Sequence, residues 1–141
     1  MEKEKIRVVY VEPGQFARIT ELTNELEEMQ NAVKGDIEPY YPFDEAVCLV
    51  CNDEGKINGM DFNRAIYDEN GEIIEAICGP FFICDCSGEA FGSLTEEQLK
   101  RYEQKFHWPQ MLFKINGKLR AVPYIPKTAE YNRQRQGREE R

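Results

Sequence analysis

The chain has no apolar run near the ~18–20 residues that cross a bilayer as a helix, and its opening MEKEKIRVVYVEPG has no long apolar segment followed by a small-residue cleavage site. The expected location is therefore the cytoplasm, with no membrane contact. Glycine-rich phosphate cradles are missing, since neither GxGxxG nor GxxxxGK[ST] occurs. Calcium loops are excluded because oxygen ligands do not alternate over a long enough span. Histidine occurs once, as His107 beside Trp108 and Pro109 at the end of a predicted helix, where a cationic ring favours the helix C-terminus. Capping is expected of it rather than general-base work, and nothing local supports pairing it with Cys78 or Cys86 as a nucleophile.

Cysteine is present but in an unpromising pattern. Five is an odd number, so no disulfide framework is expected. Cys48-Leu49-Val50-Cys51 and Cys84-Asp85-Cys86 offer four thiolates, yet Leu-Val between the first pair favours a strand whose alternate side chains diverge. No metal and no cofactor follow from this, and a redox pair would have to open a helix.

What is there suits a single folded domain: 141 residues, 41% hydrophobic and 31% charged. Net charge is −8. The final stretch KTAEYNRQRQGREER carries five cations against three anions, which leaves −10 for the rest. An acidic body argues against direct nucleic-acid binding, which needs clustered Lys and Arg.

Ile6 to Val11 reads as an interior strand closed by Pro13-Gly14. From Thr20 as N-cap, Leu22, Leu26, Met29 and Val33 fall on one face of a helix that Gly35 ends, with an acidic outer face. Ile37 to Phe43 is interrupted by Pro39 and Pro42 and reads as an extended edge, and Ala46 to Cys51 as a strand buried on both faces. Ala65 to Tyr67 and Ile73 to Ile77 flank Asn70-Gly71, and Leu112 to Ile115 and Leu119 to Val122 flank Asn116-Gly117; both predict tight hairpins. Phe81 to Cys84 is a further strand. Thr95 with Gln98 predicts a capping box opening a helix to about Phe106, with Leu94 and Leu99 as a hydrophobic staple.

The expected fold is α+β: one domain over residues 1–126, a mainly antiparallel sheet built from hairpins with two helices packed on it, followed by a flexible charged tail over 127–141. Arg64, Asn63, Asn58 and Tyr67, with Phe81 and Phe82, form the candidate ligand-binding set. Arginine pairs bidentately with phosphate or carboxylate, asparagine reads a base or sugar edge, and aromatic rings stack on planar groups. No catalytic residues stand out, and the weight falls on binding. The plain alternative is that Arg64 pairs with an acid and the two phenylalanines are core.

VEPG at 11–14, LVCNDEGKINGM at 49–60, NRAIYDENGEI at 63–73 and CGPFFI at 78–83 together resemble an uncharacterised family, catalogued as a domain of unknown function, from bacteriophages and integrative or conjugative elements. The resemblance covers about residues 8–83, leaving a helix and hairpin over 93–126 as an extension and a candidate oligomer contact or lid. It implies a counter-defence role in a bacterial host cell and supplies no catalytic residues. The leading expectation is an accessory protein that sequesters a small anionic, nucleotide-like host molecule without turning it over. The alternatives are an acidic decoy that binds a restriction or other defence protein, and an enzyme degrading a nucleotide signal.

Overall fold

Buried side chains alternate between the two faces of the central strands, and this alternation sets the layers of the molecule. A computed structural model describes residues 4–126. The elements run β1 (Lys5–Val11), β2 (Arg18–Thr23), α1 (Leu26–Val33), β3 (Ile37–Tyr40), β4 (Val47–Asn52), β5 (Phe62–Tyr67), β6 (Ile73–Cys78), β7 (Phe81–Asp85), α2 (Glu96–Lys105), β8 (Gln110–Ile115) and β9 (Lys118–Pro123). Five strands form an antiparallel sheet in the order β2-β1-β7-β4-β3, while β5-β6 and β8-β9 are separate two-stranded ribbons. The tail expected over 127–141 lies outside the described residues. Neither helix is long and apolar enough to cross a membrane.

Val9, Val11, Leu49, Phe81 and Ile83 pack on one side of the sheet with Leu99, Tyr102 and Phe106 from α2 and its end, and with Ile66 and Ile77 of the β5-β6 ribbon. Val8, Cys48, Val50, Phe82 and Cys84 pack on the other side with Met29 and Val33 of α1. The class is the α+β one expected, with the helices on opposite faces of the sheet. Burying each large apolar side chain of α2 stabilises the fold by roughly 1.5–3 kcal/mol.

α2 begins as its sequence predicts. The Gln98 N–H donates to Thr95 Oγ1 at 3.1 Å, and the Thr95 N–H donates to Gln98 Oε1 at 2.9 Å. Leu94 and Leu99 are both buried in the same cluster.

The first helix starts later than its periodicity suggested. Residues 18–23 form β2, paired with β1 in the register Ile6↔Leu22 and Val8↔Thr20. Ile19, Thr20 and Thr23 are β-branched, and the edge of β1 offers a hydrogen-bonding partner that outweighs a short helical stripe. Leu22 is buried from the sheet, whereas Leu26 is exposed. Lys34, at φ 62°, closes α1 in the left-handed conformation. The Asn52 side-chain amide donates to the carbonyls of Val33 and Lys34 at 3.0 and 3.1 Å, satisfying acceptors that a helix end leaves unpaired.

Asn116 and Gly117 both have positive φ, 51° and 80°, as the tight turn of β8-β9 requires. The turn at Asn70-Gly71 is wider than expected. Residues 68–72 form the connection, and Asp68 Oδ1 accepts from the N–H groups of Asn70 and Glu72, both at 2.9 Å. This aspartate clamp favours a broader loop over a two-residue turn.

Replacing Asn52 with alanine removes the amide that closes α1, and we expect a loss of about 1–3 kcal/mol. Urea unfolding followed by circular dichroism measures it, and an unchanged midpoint refutes the capping role.

Candidate functional site

A bulge in β5 decides where Asn63 and Arg64 point. Phe62 pairs with Cys78 and Arg64 with Ile77, so Asn63 is an extra residue on its strand and the two neighbouring side chains reach each other. Arg64 Nη1 donates to Asn63 Oδ1 at 2.8 Å. Arg64 Nε donates to the Phe106 carbonyl at 3.0 Å, and Nη2 to the Gln15 carbonyl at 2.6 Å. Asn63 Nδ2 donates to the carbonyls of Val11 and Gly79, both at 2.9 Å. Arg64 is 1% exposed and Asn63 is fully buried. Burial pushes the guanidinium pKa down to about 10, which leaves it charged at neutral pH.

Arg64 therefore ties β5 to the loop after β1 and to the end of α2, while Asn63 ties it to β1 and to the turn before β7, and Arg64 faces none of the clefts described below. The other residues of the expected set are dispersed. Phe81 and Phe82 are fully buried on opposite sides of the sheet, with Phe81 edge-on to Phe106 at 5.5 Å, so neither ring is open to stack on a ligand. Tyr67 is partly exposed at the end of β5. Asn58 lines a hollow of about 260 Å³ with Gly35, Asp36 and the turn at 52–54. His107, one residue past the C-cap of α2, is hydrogen-bonded through Nδ1 to the Glu103 side chain at 2.6 Å and stacks on Phe16 at 4.6 Å, so its ring meets a side chain of the helix and not the carbonyls at its end.

The feature sequence reasoning did not find is a cleft between β3 and β6, one edge of each being unpaired. Its volume is about 260 Å³. Tyr40, Ile57 and Ile77 supply apolar walls, Cys51 and Asn52 line it from β4, and Glu38, Asp53, Glu54 and Glu75 supply four carboxylates against the single cation Lys56. Lys56 is already ion-paired with Glu75. Gly55 lets the 53–60 loop close on β6: a Cβ there would lie 2.4 Å from the Cys78 carbonyl. The field in the cleft registers on Cys51. Burial first, then Glu38, Glu75 and Asp53, push its thiol pKa up to about 11. Tyr40 is raised in the same way by burial and Glu75. A larger hollow of about 470 Å³ between β2 and α1 is lined mostly by polar and charged side chains, Arg18, Glu25, Glu27 and Glu28 among them.

The cysteines divide by face, as the alternation of β4 dictates. Cys51 packs on the α2 side, and Cys48 lies on the α1 side with its sulfur 3.7 Å from that of Cys84. Among the described residues no group of three or more His, Cys, Asp or Glu is placed to hold a metal ion. Contact with the Cys48 thiol, then burial, raises Cys84, and burial raises both Cys78 and Cys86.

Two outcomes follow. Arg64→Met leaves the Phe106 and Gln15 carbonyls without their donor and should lower stability by about 2–5 kcal/mol in urea unfolding; a loss inside the error of the measurement contradicts the clamp. Iodoacetamide at pH 8 should modify the half-buried Cys78 and Cys86 first, more slowly than free cysteine, with Cys48, Cys51 and Cys84 reacting on unfolding. Peptide mass spectrometry reads the order.

Searches of curated proteins and of solved structures each return no match to the chain. Residues 6–107 match DUF3846, a domain of unknown function. The match extends past the 8–83 stretch that carried the resemblance and takes in α2, so that helix is part of the shared domain and not an addition to it; β8 and β9 fall after its end. The chain thus belongs to the DUF3846 family.

Proposed function

We propose that this protein is a non-catalytic binding module whose acidic β3-β6 cleft receives a Lys or Arg side chain carried on an extended segment of another protein. The observation that carries this reading is the concentration of Glu38, Asp53, Glu54 and Glu75 around apolar walls, with the one local cation already paired. A long basic side chain suits such a site, because its aliphatic stem covers apolar surface while its head meets carboxylates. The unpaired edge of β6 is a template for an extended backbone, whereas Pro39 removes one donor from the edge of β3.

Sequestration of a small anionic, nucleotide-like molecule rested on Arg64, and it has less support once that guanidinium is engaged with oxygens of its own chain. The resemblance to proteins of phages and mobile elements favours a basic, DNA-handling defence protein of a bacterial host as the partner. Inhibition would then come from occupancy rather than from turnover.

Calorimetry with a short alternating Arg-Thr peptide tests the reading. We expect binding at low salt that weakens as salt rises, and a roughly tenfold loss when Glu38→Gln and Glu54→Gln are combined, since two partly screened charges contribute about 0.2–1 kcal/mol each. Nucleotides that bind where the peptide does not would overturn it.

A further inference from the structure

We infer that the β8-β9 ribbon is a self-docking element, and that its cationic, apolar face seats in the β3-β6 cleft of a second copy of this chain. The register Met111↔Val122, Phe113↔Arg120 and Ile115↔Lys118 puts these six side chains on one face. Met111, Phe113, Ile115 and Val122 are 43–52% exposed there. A two-stranded ribbon is marginal on its own, and a continuous ladder of exposed apolar residues marks a surface that meets a partner.

Charge says which partner. Residues 1–107 hold ten cations and twenty-three anions, a formal −13, while residues 108–126 hold Lys114, Lys118 and Arg120 and no acid, a formal +3. None of these three cations has an ion-pair partner among the described residues. The change of sign falls where the DUF3846 match ends. The ribbon is thus a basic element carried by an acidic domain. Two such faces repel each other, so ribbon-on-ribbon pairing is disfavoured. The acidic cleft has the complementary character: four carboxylates beside Ile57, which is 83% exposed.

The ribbon is held at its base and presented at its tip. Gln110 Oε1 accepts from the Ala65 N–H at 2.9 Å, and the Tyr124 N–H donates to the Pro109 carbonyl at 3.0 Å. At the turn, a Cβ on Gly117 would meet nothing within 4 Å. The anchor lies on β5, on the far side of its ribbon from the β6 edge that lines the cleft. This inference rests on the cleft being a receptor for basic segments.

Sedimentation velocity on the full chain across a salt series tests it. The wild type should self-associate at low salt and dissociate as salt rises. Lys118→Glu with Arg120→Glu should weaken association at least tenfold, as should Glu38→Lys with Glu54→Lys, and a chain carrying all four changes should associate again. The first pair leaves the cleft intact and should still bind the Arg-Thr peptide, so failure of self-docking is read separately from failure of the cleft. Thermal melts check that each variant is folded. A wild type monomeric at about 100 µM in low salt overturns the inference. So does association that survives either pair of reversals, a charge swap that restores nothing, or a ribbon whose cations are needed instead for binding duplex DNA or anionic vesicles.

Discussion

A buried cation satisfied by neutral oxygens holds this molecule together. Arg64 has no carboxylate in ion-pair range among the described residues, and a bare charge at 1% exposure would be prohibitive. Its solvation is replaced by the carbonyls of Phe106, Gln15 and Asn63 and by the Asn63 side-chain oxygen. The Phe106 carbonyl lies at the end of α2, where the helix dipole is negative, so the position favours a cation beyond the single hydrogen bond. Asn63 completes the arrangement by donating to Val11 and Gly79. The two residues thus tie the β5-β6 ribbon to β1, to the loop after β1, to the end of α2 and to the turn before β7. Because β6 forms one wall of the acidic cleft and β3 the other, the clamp also sets the geometry of that cleft.

Elements coded by neighbouring residues were legible in the sequence, and elements coded by distant partners were not. Thr95 and Gln98 close their capping box within one helical turn, and Asn116-Gly117 sets its own backbone, so α2 and the β8-β9 turn lie where local chemistry puts them. β2 depends on the edge of β1, and its residue Leu22 fits the helical stripe of Leu26, Met29 and Val33 just as well until that edge is supplied. The direction of Arg64 depends on one inserted residue in β5. Without the bulge, Asn63 and Arg64 would face opposite sides of their ribbon, and no property of the tripeptide Asn63-Arg64-Ala65 announces the shift.

The cleft escaped sequence reading for the same reason. Glu38 sits beside a proline in an edge strand, Asp53 and Glu54 belong to a turn, and Glu75 lies in a strand; each is ordinary where it stands. They converge because β3 pairs with β4 and because Gly55 admits the 53–60 loop against Cys78. The one trace was the acidic surplus behind the net charge of −8, a size that solubility alone also accounts for. Composition could register that surplus without locating it.

The same field bears on what the cleft can do chemically. Cys51 is the nucleophile lining it with the strongest perturbation: burial, and after it the carboxylates that would attract a basic group, push its thiol up to about pKa 11. At neutral pH a thiol raised in this way is almost wholly protonated, and the thiolate is the reactive form. The cation recruitment proposed above and nucleophilic attack are therefore opposed at this site. A cation seated among Glu38, Asp53 and Glu75 would screen those charges and ease the proton from Cys51, although burial, the larger of the two causes, would remain and deepen as the ligand excluded water. Under the function proposed above, occupancy leaves the thiol protonated, which accords with holding a partner unchanged.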